Sequence, residues 1–123
     1  MRDISPFIDG ASVAGTSGRF GDVFNPNTGE IQARVALASA AELDAAVQSA
    51  VRAQATWALV NPQRRARVMF DFKRLVETNM TELAELLSSE QVNGGSDSRG
   101  DVQRGIEVIE FACGIPHAMK GED

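Results

Sequence analysis

Arg104 is the residue whose surroundings best suit the binding of a ligand. It is predicted to lie in the first turns of the last helix, between Gly100 and Gly105. Neighbouring glycines leave room for a ligand, and the planar guanidinium can hold a carboxylate through two hydrogen bonds. From the residues alone, a surface ion pair with Glu107 or Asp101 is the favoured interpretation, since most exposed arginines do no more than that.

A second candidate combines Cys113 and His117 with Glu110, which lies about one helical turn before the cysteine. These are residue types that ligate metals or act as nucleophiles, but Pro116 breaks the helix that would align them. Zinc normally takes three or four protein ligands, so two soft ligands do not predict a metal site. We predict instead that Cys113 packs in the core and that His117 lies on the surface beyond the helix end.

The segment Gly10–Ser17 is close to the consensus of a phosphate-binding loop, with two glycines at the required spacing and a hydroxyl group. Thr16 stands where such a loop needs a lysine to reach the phosphates. No helical pattern follows to supply a positively polarised N-terminus. The segment is therefore interpreted as part of a hairpin. The sequence contains neither a complete nucleotide-binding loop nor a Ser–His–Asp set in a suitable context.

The charge balance argues against nucleic acid and membranes as partners. The 123 residues include 12 basic and 17 acidic side chains, a net charge of −5, whereas both partners need a net basic surface or patch. Arginines cluster at positions 64, 65 and 67 without interleaved aromatics, which favours a solvated face or intersubunit ion pairs. No apolar run approaches the ~20 residues of a membrane-spanning helix. A lone cysteine and a start unlike a signal peptide suit the cytoplasm.

The elements that position these residues fall into two regions. Residues 1–38 are glycine-rich with short apolar clusters, which predicts two small antiparallel β-hairpins. Asp9-Gly10 is the first turn signal, and Pro26–Gly29 with its flanking β-formers is the second. Residues 31–35 then alternate between apolar and polar types, as in a half-buried strand.

Residues 39–123 have a helical apolar period, and three helices are predicted over about 39–58, 62–91 and 98–114. Ser39 and Glu42 fit a capping box, Asn61-Pro62 fits a second helix start, and Asn79 marks a junction within the second helix. Residues 91–100 are polar and glycine-rich, so a loop is predicted there. Both regions together are expected to form one α+β unit.

Apolar stripes run along all three predicted helices, and two arrangements remain open for them. Four short strands are too few to cover the stripes in so small a unit. Leaving a few hundred Å² of them exposed would forfeit several kcal/mol, at ~25 cal/mol per Å². Either the helix faces bury each other in a compact bundle, or they are shaped to pack against protein that this sequence does not include.

Read as whole phrases, the sequence resembles the N-terminal quarter of an aldehyde dehydrogenase, in particular the CoA-acylating methylmalonate-semialdehyde dehydrogenases. The phrases that carry the resemblance are Phe7–Gly10, Phe24–Ser39, Asn61–Glu77 and Gly100–Glu122. The first two occur across the superfamily, whereas the last two point to the methylmalonate-semialdehyde branch. The implied fold class is an α+β fragment, with two small antiparallel hairpins followed by three helices. Residues 1–38 and 39–123 together would form one incomplete N-terminal piece of the NAD-binding domain, without its Rossmann sheet.

The resemblance implies NAD-dependent oxidation of a semialdehyde to an acyl-CoA through a cysteine nucleophile and an oxyanion hole. In the family, the nucleophile and the NAD and coenzyme A sites lie downstream of the matched part, and Cys113 is not the nucleophile. We therefore expect a truncated, inactive dehydrogenase that binds no cofactor alone. Its expected partner is a further copy or a missing C-terminal portion, because the family is homo-oligomeric. The alternative is a stand-alone helical interaction module, or a subunit-like partner of a full-length paralogue.

For Arg104 the resemblance reverses the interpretation drawn from the residues alone. The phrase Gly100–Gly105 matches the family segment whose arginine helps to hold the substrate carboxylate, so Arg104 is the expected substrate-binding residue. A second arginine would come from the missing part. The sequence also departs from the family at residues 92–95, where Val-Asn-Gly-Gly replaces a glycine-lysine-threonine phrase and the lysine is lost.

Overall fold

The computed structural model describes residues 1–91, 94–119 and 121, which form two compact units, Met1–Leu59 and Val60–Asp123. The substituted residues 92 and 93 lie outside the described residues, as does part of the predicted loop at 91–100. The fold class expected from the sequence is confirmed: the chain is a small α+β structure with short sheets followed by helices.

The first unit contains five strands instead of the four expected. They are β1 (Arg2–Ile4), β2 (Phe7–Ile8), β3 (Ala11–Ser12), β4 (Phe20–Phe24) and β5 (Ile31–Ala36). Strands β2 and β3 form one antiparallel hairpin, and β4 and β5 form the other, as predicted. The additional strand β1 pairs in parallel with β5 and completes a three-stranded sheet of order β1-β5-β4.

Both predicted turns are present, and their backbone conformations explain their sequences. Asp9 and Gly10 have φ values of 51° and 78°, which is the left-handed pair that a two-residue hairpin loop requires. In the second turn Gly29 has a φ of 76°, and its N–H donates to the carbonyl of Asn25 at 2.7 Å. Glycine meets this conformation without steric cost.

Helix α1 (Ala40–Trp57) begins with the predicted capping box. The Ser39 hydroxyl accepts from the Glu42 N–H at 3.1 Å, and the Glu42 carboxylate accepts from the Ser39 N–H at 3.2 Å. This backbone hydrogen bond lowers the pKa of Glu42. The same carboxylate accepts from the Thr16 N–H at 3.4 Å. These bonds join α1 to the strand region, so the first unit extends past the division expected at residue 38.

The second unit contains α2 (Pro62–Thr78), α3 (Met80–Glu90), α4 (Gly95–Cys113) and the short α5 (Ile115–Ala118). The Asn61 side chain caps α2 by accepting from the Gln63 N–H at 2.8 Å, and Asn79 separates α2 from α3 as predicted. Helix α4 packs against both α2 and α3. The sequence predicts that the helical region ends at Gly114–Pro116, but the chain continues there into α5.

The predicted start of the last helix at residue 98 is wrong, because α4 begins at Gly95. A tertiary contact accounts for the difference. Ser98 is fully buried, and its hydroxyl lies 2.7 Å from the hydroxyl of Ser88 on α3. This pairing satisfies a buried polar group and outweighs the cost of about 1 kcal/mol for a glycine in a helix.

The core of the described residues is small, and many large apolar side chains remain exposed. The buried apolar residues are Ala33, Ala66, Ala84, Ile106 and Cys113. On α1 no residue is buried, and Leu43 is 62% exposed. On α2 the predicted apolar stripe is only partly covered, since Phe72 and Leu75 are each 48% exposed. Helices α2, α3 and α4 therefore bury only part of their apolar faces against each other, and the rest of the stripes stays exposed among the described residues. No described helix is long and apolar enough to cross a bilayer.

A candidate carboxylate-binding arginine on helix α4

Arg104 lies in the middle of α4 with its side chain 72% exposed. Its guanidinium donates from Nη2 to Oδ1 of Asp101, one turn earlier on the same helix. Asp101 was one of the two partners predicted from the sequence; its side chain is only 33% exposed. The pair therefore combines a partly covered carboxylate with a guanidinium that projects into solvent.

The packing of α4 determines the direction in which Arg104 points. Ile106 and Cys113 are 3% and 6% exposed, and they face the other helices of the unit. Successive helical residues are rotated by ~100°, so Arg104 lies about 200° around the helix from Ile106. The core contacts of α4 thus place Arg104 on the opposite, outward side.

Gly100 and Gly105 keep the space around Arg104 open, as expected. Apart from its chain neighbours and the backbone of the same helix, a Cβ atom added at either glycine would meet no heavy atom within 4 Å. Side chains on a helix lean toward its N-terminus, so the Arg104 side chain extends over the turn that contains Gly100. The guanidinium is consequently accessible to a planar anion, which it can bind through two parallel hydrogen bonds.

The Cys113–His117 candidate is not assembled into a site. Cys113 is buried in the core and His117 is exposed, as predicted for both. Among the described residues there is no group of three or more His, Cys, Asp or Glu side chains that could hold a metal ion.

The segment Gly10–Ser17 is not built as a phosphate-binding loop in the structure. It passes through β3 and ends in the loop that precedes β4. No helix begins there to direct its N–H groups at a phosphate. We therefore assign no step of the chemistry to a cofactor held by this part of the chain.

The arginine cluster at the start of α2 contains one feature that the sequence did not reveal. Arg64 and Arg67 are exposed, whereas Arg65 is partly buried. The Nε atom of Arg65 is buried and has no hydrogen-bond partner among the described residues. Local sequence cannot predict this burial, because it depends on how the helices pack.

A cleft of about 440 Å³ between α3 and the start of α4 was also missed. Arg99 lines it and donates from Nη2 to the Thr81 hydroxyl at 2.9 Å. The remaining lining residues are Ala84, Glu85, Ser88 and Gly95. No sequence signal could have indicated this cleft, since its residues come from two helices with no shared motif.

The fold is that of part of a known class of enzymes. The family profile described as "Aldehyde dehydrogenase family" matches residues 13–123. The chain therefore belongs to the aldehyde dehydrogenase family, as the resemblance of its phrases indicated.

Within this family, the chain is similar to enzymes that act on short semialdehydes. It is 56% identical to a putative methylmalonate-semialdehyde dehydrogenase of Sinorhizobium meliloti, crystallised with NAD, with a TM-score of 0.95 over 99% of this chain and 25% of that one. It is 42% identical to the methylmalonate-semialdehyde dehydrogenase of Oceanimonas doudoroffii, with a TM-score of 0.94 over 99% of this chain and 25% of that one. Malonate-semialdehyde dehydrogenase 3 of Geobacillus kaustophilus is 46% identical, over 98% of this chain and 25% of that protein.

The chain thus spans about a quarter of the length of these relatives, and the match is with their N-terminal quarter. The relatives are dehydrogenases, and the similarity covers nearly all of this chain. These findings do not favour the alternative of a stand-alone interaction module.

Proposed function

We propose that this chain is the N-terminal part of a CoA-acylating semialdehyde dehydrogenase and that Arg104 binds the substrate carboxylate. The observation that carries the proposal is the exposed guanidinium of Arg104 beside open space, in a chain 56% identical to a methylmalonate-semialdehyde dehydrogenase. Malonate and methylmalonate semialdehydes carry a carboxylate at the end away from the aldehyde. A fixed arginine can orient such a substrate for reaction.

The proposed reaction of the complete enzyme is the NAD-dependent oxidation of a semialdehyde to an acyl-CoA. The S. meliloti relative was crystallised with NAD, which supports that cofactor. Cys113 is buried on the inner face of α4 and is unsuited to act as the nucleophile. We propose that the nucleophile and the NAD and coenzyme A sites belong to the part of the enzyme that this chain does not span, and that the chain is inactive alone.

The Asp101–Arg104 pair is compatible with substrate binding. An exposed ion pair contributes only ~0.2–1 kcal/mol, so a substrate carboxylate can share or replace the Asp101 partner at little cost. A hydrogen bond to a charged group shielded from water contributes ~1.5–3 kcal/mol. The same guanidinium therefore binds a carboxylate more strongly in an enclosed site than in the isolated chain.

The partners and the compartment follow from the same proposal. We propose that the chain associates with the C-terminal portion of such an enzyme, or with further copies in a homo-oligomer, and acts in the cytoplasm. The net charge of −5 supports the proposal that it binds neither nucleic acid nor membranes. The buried, unpaired Cys113 suits a reducing compartment.

The substrate role of Arg104 can be tested in a fusion in which this chain replaces the first quarter of the S. meliloti relative. NADH formation would be followed with malonate semialdehyde and with propanal, which lacks the carboxylate. We expect Arg104→Gln to lower kcat/KM for malonate semialdehyde by about 10–100-fold, the loss of one charged hydrogen-bonding pair. Propanal oxidation should be unchanged.

Glu107→Gln is the matched control, since Glu107 is an exposed charge on the same helix and should leave both substrates unaffected. An equal loss for both aldehydes in Arg104→Gln would refute a role in carboxylate recognition. Turnover by the purified chain without the remainder would refute its proposed inactivity.

A further inference from the structure

Asp101 lies at the margin between the covered and the exposed sides of α4. Three residues turn a helix by ~300°, so Ser98, Asp101 and Arg104 are each offset from the next by ~60° in one direction. Their exposure follows this order, since Ser98 is fully buried and the side chains of Asp101 and Arg104 are 33% and 72% exposed. The Asp101 carboxylate is therefore held where the helix leaves its packing contacts.

Arg104 has an acidic neighbour at the same spacing on each side along α4. Asp101 comes three positions before it and Glu107 three positions after it. The guanidinium turns toward the earlier one and donates from Nη2 to Oδ1 of Asp101. Helical side chains lean toward the N-terminus of their helix, which brings the guanidinium over Asp101 and away from Glu107.

The bond to Asp101 orients the guanidinium of Arg104 without using all of its hydrogen-bonding capacity. A guanidinium carries five N–H donors in a planar fork, so one bond leaves donors for a second planar anion. Gly100 lies on the same side of the helix as Arg104, four positions earlier, and contributes no side chain to this space. The unused part of the fork therefore stays open to a carboxylate.

We propose that Asp101 is a positioning residue that holds the Arg104 guanidinium in one orientation, so that its remaining donors meet the carboxylate of the semialdehyde. The inference rests on the proposed function, in which Arg104 binds that carboxylate. A long exposed side chain samples many rotamers, and ordering it on binding lowers the affinity for a ligand. Asp101 orders the side chain before the substrate arrives, so less conformational entropy is lost on binding.

The charge of Asp101 could also act in the opposite sense, by repelling the substrate carboxylate. The positively charged fork lies between the two carboxylates when they occupy different edges of it, which offsets their repulsion. The two effects differ in sign. Positioning predicts that removal of the Asp101 side chain weakens substrate binding, whereas repulsion predicts that removal of its charge strengthens binding.

The test uses the fusion in which this chain replaces the first quarter of the S. meliloti relative. In Asp101→Ala, kcat/KM for malonate semialdehyde should fall by about three- to tenfold, mainly through a higher KM. This is the loss expected when one long side chain must be ordered on binding. Kinetic constants for propanal, which has no carboxylate, should be unchanged. Asp101→Asn keeps an oxygen acceptor for Nη2 and should stay within about twofold of the wild type.

Glu107→Ala is the matched control, because Glu107 has the same spacing from Arg104 on the other side; it should leave both aldehydes unaffected. The double variant Asp101→Ala/Arg104→Gln should be no worse than Arg104→Gln alone, because Asp101 acts through Arg104. Losses that add in the double variant would overturn the inference. So would an equal loss for propanal in Asp101→Ala, which would show a general structural role, or a lower KM for malonate semialdehyde in Asp101→Asn, which would show repulsion.

The inference and the proposed function fail in different ways. If Arg104→Gln lowers kcat/KM for malonate semialdehyde alone while Asp101→Ala behaves like the wild type, the substrate role stands and the positioning role is wrong. If Arg104→Gln affects both aldehydes equally or neither, the substrate role is wrong, and the positioning role fails with it. In that case Arg104→Gln itself reports the failure, whatever the result for Asp101→Ala.

Discussion

Two carboxylate–guanidinium pairs in this chain show how the same chemistry serves different ends. Arg34 on β5 donates from Nε to Asp3 on β1 at 2.7 Å, and its guanidinium carbon lies 4.1 Å from the ring centroid of Phe20. This pair links two strands far apart in sequence and is structural. Arg104 instead pairs within one helical turn, so it can exchange partners without any change in tertiary packing.

The Asp3–Arg34 pair predicts a pH-dependent contribution to stability. The hydrogen bond from Arg34 lowers the pKa of Asp3 below its ordinary value of 3.8. The contribution is therefore present above pH 3.8 and is lost as the pH falls through the lower, folded-state pKa. We expect Asp3→Asn to be less stable than the wild type at about pH 6 and to approach it at about pH 3, in thermal unfolding.

Arg34→Gln should remove the same pH-dependent part, since it deletes the other partner. A stability difference between wild type and Asp3→Asn that is identical at both pH values would show that the ion pair contributes nothing in solution.

At the scale of the element, the start of α1 offers a direct test of the capping box. Ser39→Ala should lower the free energy of unfolding by ~1 kcal/mol, because an orphan N–H of the first turn loses its acceptor. Ser39→Asp should remain close to the wild type, since aspartate is an equally good cap. Urea unfolding followed by circular dichroism measures both, and equal stability of Ser39→Ala and wild type would contradict the cap's importance.

Substitutions at two residues of α4 that lie only two positions apart are expected to have very different effects on stability. Ile106 is 3% exposed and Val108 is 68% exposed. In the isolated chain, Ile106→Ala should cost ~2–5 kcal/mol by leaving a cavity, whereas Val108→Ala should stay within ~0.5 kcal/mol. Urea unfolding of the two variants measures the contrast. Similar losses for both would mean that Val108 is already covered in the isolated chain.

At the scale of the whole molecule, the exposed apolar side chains set the behaviour of the chain in isolation. Leu59 is 86% exposed, and Phe111 and Phe7 exceed 70%. We expect the purified chain to bind the hydrophobic dye ANS while it still unfolds cooperatively, and we expect Phe111→Ser to lower the dye fluorescence. The measurement is dye fluorescence alongside a thermal melt. A chain that binds no dye would contradict the exposure described here.

Much of the local structure could be predicted because it depends on neighbouring residues. The Asp9-Gly10 turn, the Ser39–Glu42 box and the Asn61 cap each involve φ preferences or hydrogen bonds within a few positions. That Arg104 lies on the last helix was likewise predictable, but its place in the first turns was not confirmed, because α4 begins at Gly95 and Arg104 lies in its middle. Its proposed role depends on the family resemblance, because isolated arginines are common on surfaces.

The sequence by itself determined the turns, the caps, the helical periods and the family, because each depends on residues that are contiguous in the chain. Only the tertiary structure decided that β1 joins β5, that α4 begins at Gly95 through the Ser88–Ser98 contact, and which apolar residues are covered. These features join residues distant along the chain, and no local preference encodes them. Periodicity identified the apolar stripes but could not tell which of them were covered, because coverage depends on what packs against each face.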